Sequence, residues 1–165
     1  VGMGEKPIKV LGISVGSHTV TILRPDNPNE FKNDRNTNWY TNTSGSLETT
    51  LSANPNWKLT LKGPLFGSLK ATPNISGDRP GNLRNIRQIS DNNRSDTQLI
   101  RDILASANQY KDNLPYDPTP AKFDRFYNSN SYTYGILRDA RVTNIPNLPG
   151  WQPGADKPIP LNKKE

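Results

Sequence analysis

The sequence contains no cysteine. Its absence excludes disulfides, thiolate zinc sites and a thiol nucleophile, and it leaves the cellular compartment open. There is one histidine, His18. Metal sites built on two or more imidazoles are therefore excluded, and so is any mechanism that pairs one histidine as acid with another as base. A single general base remains available. Glutamate is scarce, and hydrophobic residues make up only 32% of the chain, so a core is possible but modest and long loops are expected. No run of 18 apolar residues occurs, which argues against a transmembrane helix. The N-terminus also lacks the apolar stretch of a signal peptide. The two glycines of Gly77-Asp78-Arg79-Pro80-Gly81 have neither the spacing nor the lysine of a phosphate loop. Nothing in the sequence calls for a metal or a cofactor.

What is present is asparagine, serine, threonine, proline and positive charge. The formal net charge is +6, which suits attraction to an anionic cell-wall polymer, a lipid surface or nucleic acid. Arg79, Arg84, Arg87, Arg94 and Arg101 form the densest basic stretch, but Asp78, Asp91, Asp96 and Asp102 interrupt it. It reads as a solvated mixed surface, which argues against nucleic acid as the partner.

The 165 residues suggest one domain, 1–165, with a long polar segment at 26–56 and a proline-rich C-terminal tail at 143–165 packed on the body. Alternation predicts a strand over 8–15, a turn at Gly16-Ser17 and a second strand over 18–23. On that second strand His18, Val20 and Ile22 share one face, and Thr19, Thr21 and Leu23 the other. A short strand near 47–51 is expected, with Trp39-Tyr40 as the apolar anchor of the polar segment. Trp57, Leu59 and Leu61 read as the inward side of another strand, closed by a turn at Gly63-Pro64 and followed by a strand over 65–71. Residues 73–81 read as a loop, and Leu83, Ile86 and Ile89 as a short strand or helical turn. Ser95-Asp96-Thr97-Gln98 matches a capping box, and the apolar stripe behind it predicts a helix over 96–110. After Arg141 the prolines rule out helix and central strand, and Trp151 is expected to staple the tail to the body. The expected fold is α+β, an antiparallel sheet of four to six strands packed on two main helices.

The second helix follows the stretch Tyr127-Asn128-Ser129-Asn130-Ser131. Tyr132, Gly135, Ile136 and Ala140 recur at helical spacing, so the polar residues before them fall where a helix leaves its first N–H groups unpaired. An oxygen there lies in a positive field. It can serve as an N-cap, an anion site or a nucleophile, and local evidence leaves all three open.

Asn128-Ser129-Asn130-Ser131-Tyr132 resembles the Asn-Cys-Asn-His-Phe type segment of circularly permuted papain-like hydrolases, the NlpC-, LRAT- and PPPDE-like groups among them. With Ile145-Pro146 and Pro149-Gly150-Trp151 it also resembles C-terminal segments of bacterial polymorphic toxins. The resemblance covers about a third of the chain, and Ser129 stands where the permuted hydrolases carry Cys. It implies a permuted papain-like order of elements, Ser129 as nucleophile and His18, on an earlier strand, as general base. Asn128, Asn130 and Ser131 would position substrate or line an oxyanion hole, and the sequence does not pick the group that orients the imidazole. The implied activity is hydrolysis or acyl transfer at an amide or ester, in a secreted bacterial effector or toxin delivered into a target cell. Its substrate would be cell wall, lipid or protein, and an immunity protein or delivery machinery would be its partner. The alternative is a non-catalytic binding or structural module on the same fold.

Overall fold

The structure is a computed structural model and describes residues 1–10, 13–34, 37–60, 63–91 and 93–161; within it 9, 10, 13–15, 57–60 and 63–66 are described for their backbone alone. It is α+β. Two long strands, β1 (Gly2–Val10) and β2 (Ile13–Leu23), form an antiparallel hairpin. β3 (Tyr40–Thr41) and β4 (Leu47–Leu51) extend it on the β2 side, and β7 (Arg84–Gln88) pairs with β1 on the other, giving a five-stranded antiparallel sheet in the order β3-β4-β2-β1-β7. β5 (Ala53–Thr60) and β6 (Gly63–Ala71) form a separate antiparallel pair.

The first hairpin departs from the pattern read from sequence. Gly16 and Ser17 do not turn the chain; they lie inside β2, opposite Ile8 and Pro7. Gly16 has φ 136, a backbone that favours glycine, close to a register shift at Ile8/Lys9. Gly-Ser is thus an irregularity within a strand, and it mimics a turn signal. Gly63 and Pro64 likewise fall inside a strand, paired with Thr60 and Leu59. The inward set Trp57, Leu59 and Leu61 lies outside the residues whose side chains are described.

Helix α1 (Asp96–Asn108) begins as its capping box predicts, with the Ser95 hydroxyl accepting from Gln98 N at 3.2 Å. Helix α2 (Ser129–Asp139) packs on α1 and β2. Its residues 129–137 are all buried, because the tail covers the side that the sheet and α1 leave open. Ile159 N donates to Ser131 O at 3.0 Å, and a Cβ on Gly135 would lie 2.5 Å from Ile159 Cγ1. Tail residues Leu148, Pro153, Gly154, Lys157 and Ile159 are buried, whereas Trp151 is 65% exposed and does not staple the tail.

The two faces of the sheet differ. Met3 and Leu23 join the main core with Leu99, Ile100, Ile103, Tyr132, Ile136 and Leu137. Val20 and Ile22, which point the other way from β2, are buried outside that core. Alternation in β2 therefore sets one face toward α2 and the other toward the 72–83 loop.

Candidate functional site

Two polar centres flank β2, one on each face. The first is the start of α2. Asn128 is the N-cap in extended conformation, φ −139, and its Oδ1 accepts from Asn130 N at 3.0 Å and Ser131 N at 3.1 Å. Its amide nitrogen donates to Pro118 O at 3.0 Å and Pro153 O at 2.8 Å. Asn130 uses its full capacity on two other segments, β2 and the tail. Its Oδ1 accepts from Thr19 N and Thr19 Oγ1, both at 2.9 Å, and its Nδ2 donates to Ser17 O at 2.8 Å and Pro153 O at 3.0 Å. Ser131 Oγ donates to Gly154 O at 3.1 Å, and Thr133 Oγ1 to Thr19 O at 3.0 Å. The tail comes this close only because residue 154 is glycine: with φ 82, a Cβ there would lie 2.7 Å from both Asn128 Oδ1 and Ser131 Oγ.

Ser129 is the first residue of the helix and 4% exposed. Its hydroxyl makes no hydrogen bond among the described residues, in contrast to its three neighbours.

The second centre lies on the opposite face. Asp78, at the end of a 3-10 turn over Ser76–Asp78, is fully buried. His18 Nε2 donates to its Oδ2 at 3.2 Å and Ser52 Oγ donates to the same oxygen at 2.5 Å, while Lys6 Nζ binds Oδ1 and also reaches Gly77 O at 3.2 Å. Burial alone would push the Asp78 carboxyl up. The hydrogen bond and charge of His18, with the hydrogen bonds from Lys6 and Ser52, outweigh it and hold the carboxyl well below the usual carboxylate range. The same face carries a further buried acid: Glu48, 1% exposed, accepts from Arg24 Nε at 2.9 Å and from the Tyr40 hydroxyl.

The structure thus gathers Asn128, Ser129, Asn130 and Ser131 at one point and sets His18 beside a different partner. His18 sits between Ser17 and Thr19, both bonded by Asn130, yet its ring leaves β2 on the other side. No hydrogen bond joins His18 to Ser129 among the described residues. The group that orients the imidazole is Asp78, a loop residue that sequence reading passes over as part of a turn. A single aspartate between glycines carries no signal that it closes onto a histidine 60 positions earlier.

Neither of two surface clefts, about 490 Å³ beside Gly2, Ile22, Arg24 and Ile86 and about 270 Å³ between Asp102, Ser106 and Asp139, is lined by any of these predicted site residues. Among the described residues no three His, Cys, Asp or Glu side chains gather as a metal ion requires, and no helix is long and apolar enough to cross a membrane. No protein family, curated protein or solved structure matches the chain.

Proposed function

We propose that the chain is a binding or structural module in which the Asn-Ser-Asn-Ser turn holds the fold together. One observation carries this reading: Asn128, Asn130 and Ser131 commit their polar atoms to the backbone of β2, of Pro118 and of the tail. A buried side chain so engaged has no capacity left for substrate. The commitment of His18 to Asp78 on the other face of β2 supports the same reading, since a general base must reach the proton that it removes. The net charge of +6 favours an anionic partner.

A second reading is favoured by the uncommitted Ser129 hydroxyl at the first position of α2. There a developing oxyanion would meet the positive end of the helix dipole. On that reading the chain is an amide or ester hydrolase or acyltransferase of permuted papain-like order, acting as a toxin or effector domain. The order of elements is compatible, with the histidine strand β2 preceding the helix that packs on it. Hydrolysis of activated esters and amides by the intact protein separates the two. The module reading expects no turnover above buffer and no difference between wild type, Ser129→Ala and His18→Ala. Turnover that falls at least a hundredfold in both folded variants overturns it.

A further inference from the structure

Among the described side chains, Phe123 and Trp151 are large aromatics left on the surface, and Phe123 is held there by a dedicated network. Phe123 is 94% exposed, so almost none of its ring is backed by protein. Its turn is nevertheless tightly fixed at the base. Asp124 Oδ2 accepts from Ala121 N at 2.7 Å, its Oδ1 accepts from Phe126 N at 2.9 Å, and Asp124 N donates to Ala121 O at 3.3 Å. From below, buried Lys157 donates to Ala121 O at 2.8 Å, to Asp124 O at 2.5 Å and to the Asp124 carboxylate. A loop so bound cannot easily fold its apex back onto the body.

The charge distribution is equally one-sided. Asp124 points inward and is neutralised by Lys157, while Lys122 and Arg125 are exposed on either side of the apex. The Lys122 ammonium lies 5.8 Å from the Phe123 ring centre, so apolar ring and cation are presented together. A nucleic-acid base stacks best on a ring with one face supported in a basic groove. A ring free on nearly all sides, flanked by cations, fits the boundary between acyl chains and anionic headgroups.

We propose that the 121–126 turn is a docking element for an anionic membrane surface, with Phe123 entering the interface and Lys122 and Arg125 contacting headgroups. This names the partner of the binding-module reading and rests on it only in that the protein works by docking.

The test is co-sedimentation of the intact protein with phosphatidylcholine vesicles with and without phosphatidylserine. Binding is expected only with phosphatidylserine. Phe123→Ala should weaken it about tenfold, from partial burial of one aromatic side chain, and Lys122→Ala and Arg125→Ala about fivefold each. Unchanged melting temperatures should accompany these losses, because the altered side chains are exposed. The proposal is overturned if wild type ignores anionic vesicles, if Phe123→Ala binds as wild type does, or if Phe123 matters instead for a single-stranded oligonucleotide. Ester and amide turnover is measured without vesicles, so a failure here and a failure of the module reading are seen separately.

Discussion

Asn130→Ala is the most informative single change. The side chain is fully buried and makes four hydrogen bonds, to Thr19 N, Thr19 Oγ1, Ser17 O and Pro153 O. Each is worth about 1 kcal/mol net, and leaving a buried partner unpaired costs about 1–3 kcal/mol. Alanine cannot replace any of them. Two of the groups are carbonyls on separate segments, so β2 and the tail each lose one of their ties to α2. The sum is about 4 kcal/mol, a large part of the 5–15 kcal/mol typical of a domain. For a chain of this length it should lower the melting temperature by about 8–16 °C. Chemical denaturation followed by tryptophan fluorescence measures it directly. Ser129→Ala, one position away and also buried, removes a hydroxyl without a partner and should change stability by less than about 1 kcal/mol. The reasoning fails if Asn130→Ala also stays within about 1 kcal/mol of wild type, or if Ser129→Ala proves the costlier of the two.

Other expectations follow from the opposite face and from the tail. Asp78→Asn should destabilise by about 2–3 kcal/mol at neutral pH, since it removes the buried negative charge beside Lys6 and His18 and replaces one of the two acceptor oxygens with an NH2 donor. Because the folded-state pKa of Asp78 is depressed, its contribution is present above the unfolded value of about 3.9 and is lost as pH falls below it. Denaturation midpoints should therefore drop more steeply below about pH 4 in wild type than in Asp78→Asn; parallel curves would contradict this. Gly154→Ala should cost about 2 kcal/mol or more, from a left-handed backbone and a Cβ 2.7 Å from two buried oxygens, read as a lower melting temperature. Trp151→Ala should leave the melting temperature within a degree or two of wild type, since the side chain is mostly exposed.

What the sequence discloses here is largely what local chemistry dictates. The α1 boundary is legible because Ser95 and Gln98 declare it in four residues. The start of α2 is legible from the polar run ahead of its apolar spacing, but that Asn128 rather than Ser129 is its cap is not. The α+β class follows from alternation in the hairpin and periodicity in the helices. The hairpin register is not legible, since Gly16-Ser17 has turn chemistry but is placed in mid-strand by pairing with Ile8 and Pro7. β1 is also hidden at its start, where Gly2, Gly4, Glu5 and Pro7 oppose strand propensity and only pairing with β2 and β7 holds them. At the candidate site, the residues of the Asn-Ser-Asn-Ser turn are adjacent in sequence and so appear together. Their partners at Ser17, Thr19, Pro153 and Gly154 are brought in by topology. The face on which His18 points follows from alternation, but which face meets α2 does not. Trp151 shows the limit of reading hydrophobicity alone: the tail is held by carbonyls, glycine and Ile159, while its largest apolar side chain stays outside.

The ties between β2 and α2 span 111 residues, and those from Glu5 to Gly150 and Gln152 span 145 and 147. During synthesis at roughly 5–20 residues per second, the amide and carbonyl groups of Ser17 and Thr19 leave the ribosome roughly 6–20 s before Asn130 exists to bind them. The early hairpin must remain soluble over that interval with its future buried face open. Such long-range closure predicts slow folding for a domain of this size. It also explains an economy in the sequence: on the α2 side of β2, Ser17, Thr19 and Thr21 are polar and become buried only once α2 arrives, so this early strand waits with side chains that water tolerates.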